Sequence, residues 1–169
     1  MNEALVSPRE RIFAAVLEHP GVHLRELPRL LGFSLRAVRY HLEAMGRDEL
    51  VVTHRAGRFV RYFPCGAFSP GERDLIAAVR VRGQREVLRT LLAGGALRFS
   101  DLAANVPLSR VSLARGLRSL EAARIVQAGA GRRYALADPG AVAMRLALYR
   151  QRFPDLLADA AEEIFEDTR

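Results

Sequence analysis

Arg36, Arg39 and Tyr40 fall within five consecutive positions, and their side chains are of the kinds that read or hold nucleotides. A guanidinium can bond guanine O6 and N7 with two N–H groups or clasp a phosphate, while a phenol offers its hydroxyl to phosphate and its ring to a thymine methyl. A second basic set follows at Arg55, Arg58 and Arg61. Cations there can track a phosphate backbone or enter a narrow groove, adding affinity that weakens with salt. Later in the chain the same types recur at Arg110, Arg115 and Arg118, and again at Arg132 and Arg133.

Such groups act together only if the backbone presents them on one face. Leu35, Val38, Leu42 and Met45 repeat with helical spacing, which predicts a helix opened by Ser34 with Arg36, Tyr40, Glu43 and Arg47 opposite the apolar stripe and Arg39 and His41 on its flanks. Before it, Ser7-Pro8 and the apolar 12, 13, 16 and 17 predict a first helix over 9–18. His23 to Leu31 reads as a second helix, with Leu24, Leu27, Leu30 and Leu31 inward and Gly32 at its C-terminus. After it, residues 50–55 and 58–63 read as two strands joined through Ala56-Gly57.

The pattern is written twice. Positions 12–51 overlie 87–126 at a constant offset of 75: Ile12, Val16 and Leu27 fall on Val87, Leu91 and Leu102, and Ser34, Val38, Leu42 and Met45 on Ser109, Leu113, Leu117 and Leu120. The expected fold class is therefore mainly α with small β wings (α+β), as tandem winged helix-turn-helix domains plus C-terminal helices. The domains are expected at 1–64 and 85–137, joined by a linker and connecting helix over 65–84 and followed by C-terminal helices over 138–169.

The run from His19 to Pro64, with Pro20-Gly21, the Ser34-x-x-x-Val38-x-x-His41-Leu42 helix and a hairpin ending in Arg61-Tyr62-Phe63, resembles winged helix-turn-helix transcriptional regulators of the archaeal-type MarR/ArsR-like group. That resemblance implies DNA-binding regulation, with the third helix as reader and the hairpin as wing. Carried over by position, it supports Arg36, Arg39 and Tyr40 on the helix and Arg58 and Arg61 on the wing. His41 stands where a residue either contacts phosphate or packs at the helix flank. The related ArsR branch includes metal sensors that use Cys with His or Asp. Here His19, His23, His41 and His54 have no cysteine near them in sequence, and Pro20-Gly21 keeps His19 and His23 off one helical face, so no metal and no cofactor is expected.

Composition agrees. The chain has 169 residues, half of them apolar, so a packed core is expected; the formal net charge is +7. That charge is unevenly placed: residues 1–64 carry 10 Arg against 7 acids, 65–137 carry 12 against 5, and 138–169 carry 4 against 7. The repeats are basic and the tail acidic, which suits a polyanionic partner for the repeats. One cysteine, Cys65, excludes an internal disulfide, and there is no apolar run of about 18 residues. A cytoplasmic, nucleoid-associated protein is expected.

The second copy departs from the first in having Ala114 where Arg39 stands and Gly116 where His41 stands. A glycine inside a helix suggests close approach by another surface or by a DNA backbone. This copy either binds an adjoining stretch of DNA, which its higher charge favours, or serves assembly. Beyond it, Val142, Met144, Leu146, Leu148 and Tyr149 mark one helix, and Leu156, Leu157, Ala160, Ile164 and Phe165 another. These stripes either pack on the repeats or pair two chains, as in a homodimer matched to a palindromic site.

No nucleophile, phosphate-loop or metalloprotease motif is present, and no enzyme is expected. The expected partner is double-stranded DNA. The rival reading is a tandem winged-helix protein-interaction scaffold of chromosome or transcription machinery, which should present apolar or acidic residues on its third helices. RNA binding stays open, because charge does not tell the two polymers apart.

Overall fold

A computed structural model describes residues 6–57 and 59–153. The chain divides into two compact units that part between Arg73 and Asp74.

The first unit opens with α1 (Pro8–Glu18). Its start is closed by a reciprocal cap: the Glu10 amide donates to Ser7 Oγ at 3.2 Å, and the Ser7 amide donates to the Glu10 carboxylate at 2.7 Å. With Pro8 in the first turn, this satisfies amide groups that a helix end otherwise leaves unpaired. Then come β1 (Val22–His23), α2 (Glu26–Leu31), α3 (Leu35–Arg47), β2 (Val51–Ala56) and β3 (Phe59–Pro64). The strands form one antiparallel sheet in the order β1-β3-β2, with Val22 opposite Tyr62, His23 opposite Arg61 and Ala56 opposite Phe59.

Its core joins Ile12, Ala15 and Val16 of α1 to Leu27, to Val38, Leu42 and Met45 of α3, and to Val22 and Val51 of the sheet. Truncating a fully covered side chain such as Leu42 to Ala typically costs about 2–5 kcal/mol, so the roll of α3 about its axis is strongly fixed. The opposite face must then look outward. Gly32 ends α2 in the left-handed region at φ 71°, and its amide donates to the Pro28 carbonyl at 2.9 Å. That turn redirects the chain into Ser34, whose Oγ accepts from the Ala37 amide at 3.2 Å and starts α3.

Helix α4 (Pro70–Arg80) carries the chain into the second unit, within the stretch expected to hold a linker and a connecting helix, and starts two residues before the expected helix. Ser69 and Glu72 cap it reciprocally. The second unit then repeats the order with α5 (Arg82–Gly94), β4 (Leu97–Arg98), α6 (Phe99–Asn105), α7 (Arg110–Ala122), β5 (Val126–Gly129) and β6 (Arg133–Leu136). Its sheet has the matching order β4-β6-β5. Helix α8 (Pro139–Arg152) follows, with Asp138 accepting from the Ala141 amide at 2.8 Å. The architecture is an α+β winged-helix fold. The helix expected from Pro154 onward lies outside the described residues.

Three expectations are corrected. The second helix does not begin at His23: Val22 and His23 form a strand, because the outer edge of β3 offers backbone groups that must be paired and a β-branched residue suits that edge. Leu17 and Leu30, read as inward, are exposed. On α8, Val142 and Tyr149 turn inward whereas Met144 and Leu148 are exposed, so the two apolar sets do not share one face.

Candidate nucleic-acid interface

On α3 the buried stripe of Val38, Leu42 and Met45 leaves Arg36, Arg39, Tyr40, Glu43 and Arg47 exposed. Tyr40 is 63 % exposed, unusual for a large aromatic, and its ring meets the partly buried His41 edge-on at 5.3 Å between centroids. At the start of the helix, the Arg11 guanidinium lies 4.9 Å from the centre of the Phe33 ring, bracing the turn that aims α3. Arg36 and Arg39 thus project from the first two turns of a helix whose roll is set by its core contacts. That is the half of a reading helix that enters a groove first.

Tyr62 on β3 was not foreseen as part of this surface. Burial pushes its hydroxyl above the ordinary tyrosine range, while the positive Arg39 lowers it and the negative Glu43 raises it further. The phenol therefore lies in the field of the exposed α3 stripe. The Arg-Tyr-Phe ending of the hairpin was the available signal.

The wing holds Arg55 exposed on β2, and Gly57 takes φ 59° at the turn, a left-handed value that suits glycine. Arg58 lies outside the described residues. Arg61 is corrected: it is 2 % exposed, and its Nη1 donates to the carbonyl oxygen of Gly21 at 3.0 Å. The period of two along β3 puts Arg61 on the same side as the buried Phe63, and pairing of β1 beside it supplies the acceptor. This guanidinium is structural and does not reach solvent.

In the second unit Ser109 caps α7 by accepting from the Ser112 amide at 3.1 Å. Arg115 and Arg118 are exposed on the face opposite Leu113, Leu117 and Leu120, and Arg118 Nε reaches the Ala114 carbonyl at 3.4 Å. Arg110 is also exposed, but it sits at the helix start with its guanidinium 5.6 Å from the centre of the Phe99 ring, about a quarter turn from that stripe. Val111, not an arginine, occupies the position equivalent to Arg36 and is 68 % exposed. It was missed because an isolated valine reads as core. On the wing Arg132 and Arg133 are exposed, and Arg133 Nη1 donates to the Ala96 carbonyl at 3.0 Å. Gly116 is buried, and a Cβ there would stand 3.8 Å from Gln84 Cγ, an ordinary contact. Neither a tight packing partner nor a DNA backbone explains this glycine.

Among the described residues no three His, Cys, Asp or Glu side chains are grouped to hold a metal ion, and no helix is long and apolar enough to cross a membrane.

The geometry of the first unit has a counterpart in known proteins. A family model described as HTH_HVO_0163_N, N-terminal HTH domain, matches residues 7–76. The stretch runs from the Ser7 cap of α1 through the wing and into α4. The match supports a helix-turn-helix DNA-binding domain in this part of the chain. No curated protein matches the chain.

Proposed function

We propose that the chain is a sequence-specific, double-stranded DNA-binding transcriptional regulator of the MarR/ArsR-like kind, a binding protein and not an enzyme, acting on cytoplasmic DNA. In this reading α3 and α7 enter the major groove as the third helices of two tandem winged-helix domains. The wings lie along the backbone or minor groove. The observation that carries the reading is the exposed stripe of α3 within a helix-turn-helix domain: Arg36, Arg39 and Tyr40 stand out from its first half while Val38 and Leu42 anchor it. A protein-interaction scaffold calls for apolar or acidic residues there, and the stripe has one acid, Glu43, against three guanidinium groups. Homodimerisation belongs to the proposal, supported by Met144 and Leu148, which leave α8 exposed one turn apart.

The test is selection of duplexes from fragmented genomic DNA at a fixed salt concentration, with the parent and with Arg36→Ala/Arg39→Ala. A bidentate contact to the right base is worth about 1–3 kcal/mol of discrimination, so the double variant should bind more weakly and lose base preference. Recovery of the same site at the parent's affinity would remove α3 as the reader.

A further inference from the structure

The two third helices match position for position from Ser34 and Ser109, yet the residue two places beyond the cap is Arg36 in one and Val111 in the other. At about 100° per residue, Val111, Arg115 and Arg118 fall within a sector of about 60°, opposite the buried Leu113, Leu117 and Leu120. Val111 is 68 % exposed and so contributes nothing to the core of its unit. Folding gives no reason for it, because valine is a poorer helix former than alanine at an exposed site. Its isopropyl group is stiff, and it is followed on the same face, about one and two turns further along the helix, by two exposed guanidinium groups, which suit phosphate.

We propose that Val111 is a specificity-determining residue that packs against the 5-methyl group of thymine while Arg115 and Arg118 hold the flanking DNA. The inference rests on the reading of the second unit as a DNA-binding domain and adds what that unit recognises. In the major groove the thymine methyl is the one apolar feature among the four ordinary bases, and small aliphatic side chains complement it. The same contact selects against RNA, whose uracil lacks that methyl. The two units then recognise different base chemistry, guanidinium with guanine in the first and aliphatic with thymine in the second.

The experiment uses the full chain on the duplex it selects. Each thymine of that duplex is replaced singly by deoxyuridine, which deletes only the methyl group, and affinity is read by fluorescence anisotropy at one salt concentration. Removal of one methyl contact should weaken the parent about fourfold at one position. Val111→Ala should bind the unmodified duplex more weakly and be indifferent to the same replacement. Equal losses in parent and variant, or no sensitive thymine at all, overturn the inference. So does parent-like affinity of Val111→Ala on every duplex, which would leave this side chain to a protein partner. Parent-like affinity of Arg115→Ala/Arg118→Ala would take α7 off the DNA while leaving the α3 reading intact, and failure to select any duplex would end both.

Discussion

Arg61 is bound to Gly21 by a hydrogen bond of 3.0 Å from its Nη1 to the glycine carbonyl oxygen, joining the third strand of the first unit to the turn before the first strand. The second unit repeats the bond between Arg133 and Ala96, also at 3.0 Å. Ala96 stands 75 positions after Gly21, and Arg133, 72 positions after Arg61, lies opposite Arg98 as Arg61 lies opposite His23, so the bond recurs at equivalent places in the two sheets. The two differ in surroundings: Arg61 is buried, with its guanidinium 5.9 Å from the centre of the Phe59 ring, whereas Arg133 is exposed.

Burial decides the consequence for stability. Removing Arg61 leaves the Gly21 carbonyl without this donor in a covered place, which typically costs about 1–3 kcal/mol, while water can replace the donor at Ala96. Arg61→Ala should therefore lower the urea midpoint measurably, and Arg133→Ala should lower it much less. Equal midpoints for Arg61→Ala and the parent would show that the buried bond contributes no net stability.

The two wing arginines of the first unit also separate in their salt dependence. Arg55 is exposed and free to meet phosphate, so Arg55→Ala should reduce the slope of log affinity against log salt by about one unit. Arg61→Ala, measured under conditions where the variant is folded, should leave that slope unchanged. An equal change in both would return Arg61 to the surface that touches DNA.

Much of this surface was legible in the sequence, and the parts that were not share a cause. The α3 stripe could be read because Val38, Leu42 and Met45 announce a period that fixes where Arg36 and Arg39 must point, and Ser34 marks the start. Periodicity is local. The strand Val22–His23 is two residues long and exists because Tyr62 and Arg61, about forty positions later, offer it a partner edge. Without that strand, Arg61 reads as another exposed charge on a hairpin. Val111 goes unnoticed for the reverse reason: an isolated apolar residue in a helix carries no sign of function until its angle is compared with that of Arg36.

Acid should weaken the first unit through His23. Burial is the main cause that holds its imidazole below the ordinary range; the cations Arg61 and Arg25 act the same way, and Glu26 opposes them. Its Nδ1 also accepts from the Arg25 amide at 3.3 Å, which protonation at that atom would abolish. Because the folded state binds this proton less readily than the unfolded chain, the contribution is whole above about pH 6.5 and declines as pH falls below it. Glu10, whose carboxyl is lowered chiefly by the Ser7 hydroxyl and then by the Ser7 amide, adds a loss only at lower pH, in the carboxylate range. Urea midpoints taken from pH 7.5 to about pH 5.5 should fall for the parent and stay level for His23→Gln. A parent that is equally stable across that interval contradicts this account of His23.

Both third helices end on a strained residue. Glu49 and Arg124 each take φ 56°, a left-handed value that disfavours side chains with a Cβ, and both are exposed. The turn is held by backbone bonds from Leu50 to Met45 at 2.9 Å and from Ile125 to Leu120 at 3.0 Å. Glycine suits that place in a helix terminus; relief of about 1–2 kcal/mol of local strain is partly offset by glycine's greater freedom when unfolded. Glu49→Gly and Arg124→Gly should each raise the urea midpoint, by up to about 1 kcal/mol of stability. A lowered midpoint in either would mean that the side chain makes a contact worth more than the strain.

Gly116 invites the opposite change. It lies in the interior of α7, where glycine costs about 1 kcal/mol relative to alanine, and its φ is not among the positive values that would demand glycine. The added Cβ would meet Gln84 Cγ at 3.8 Å, which is room enough without displacing backbone. Gly116→Ala should therefore stabilise the second unit by up to about 1 kcal/mol, seen as a raised melting temperature. Because the position is buried beneath Gln84 and away from Val111, Arg115 and Arg118, affinity for DNA should not change with it. A variant that is more stable but binds DNA less well would mean that α7 needs the freedom glycine gives it, and a less stable variant would mean that Gln84 cannot yield the space.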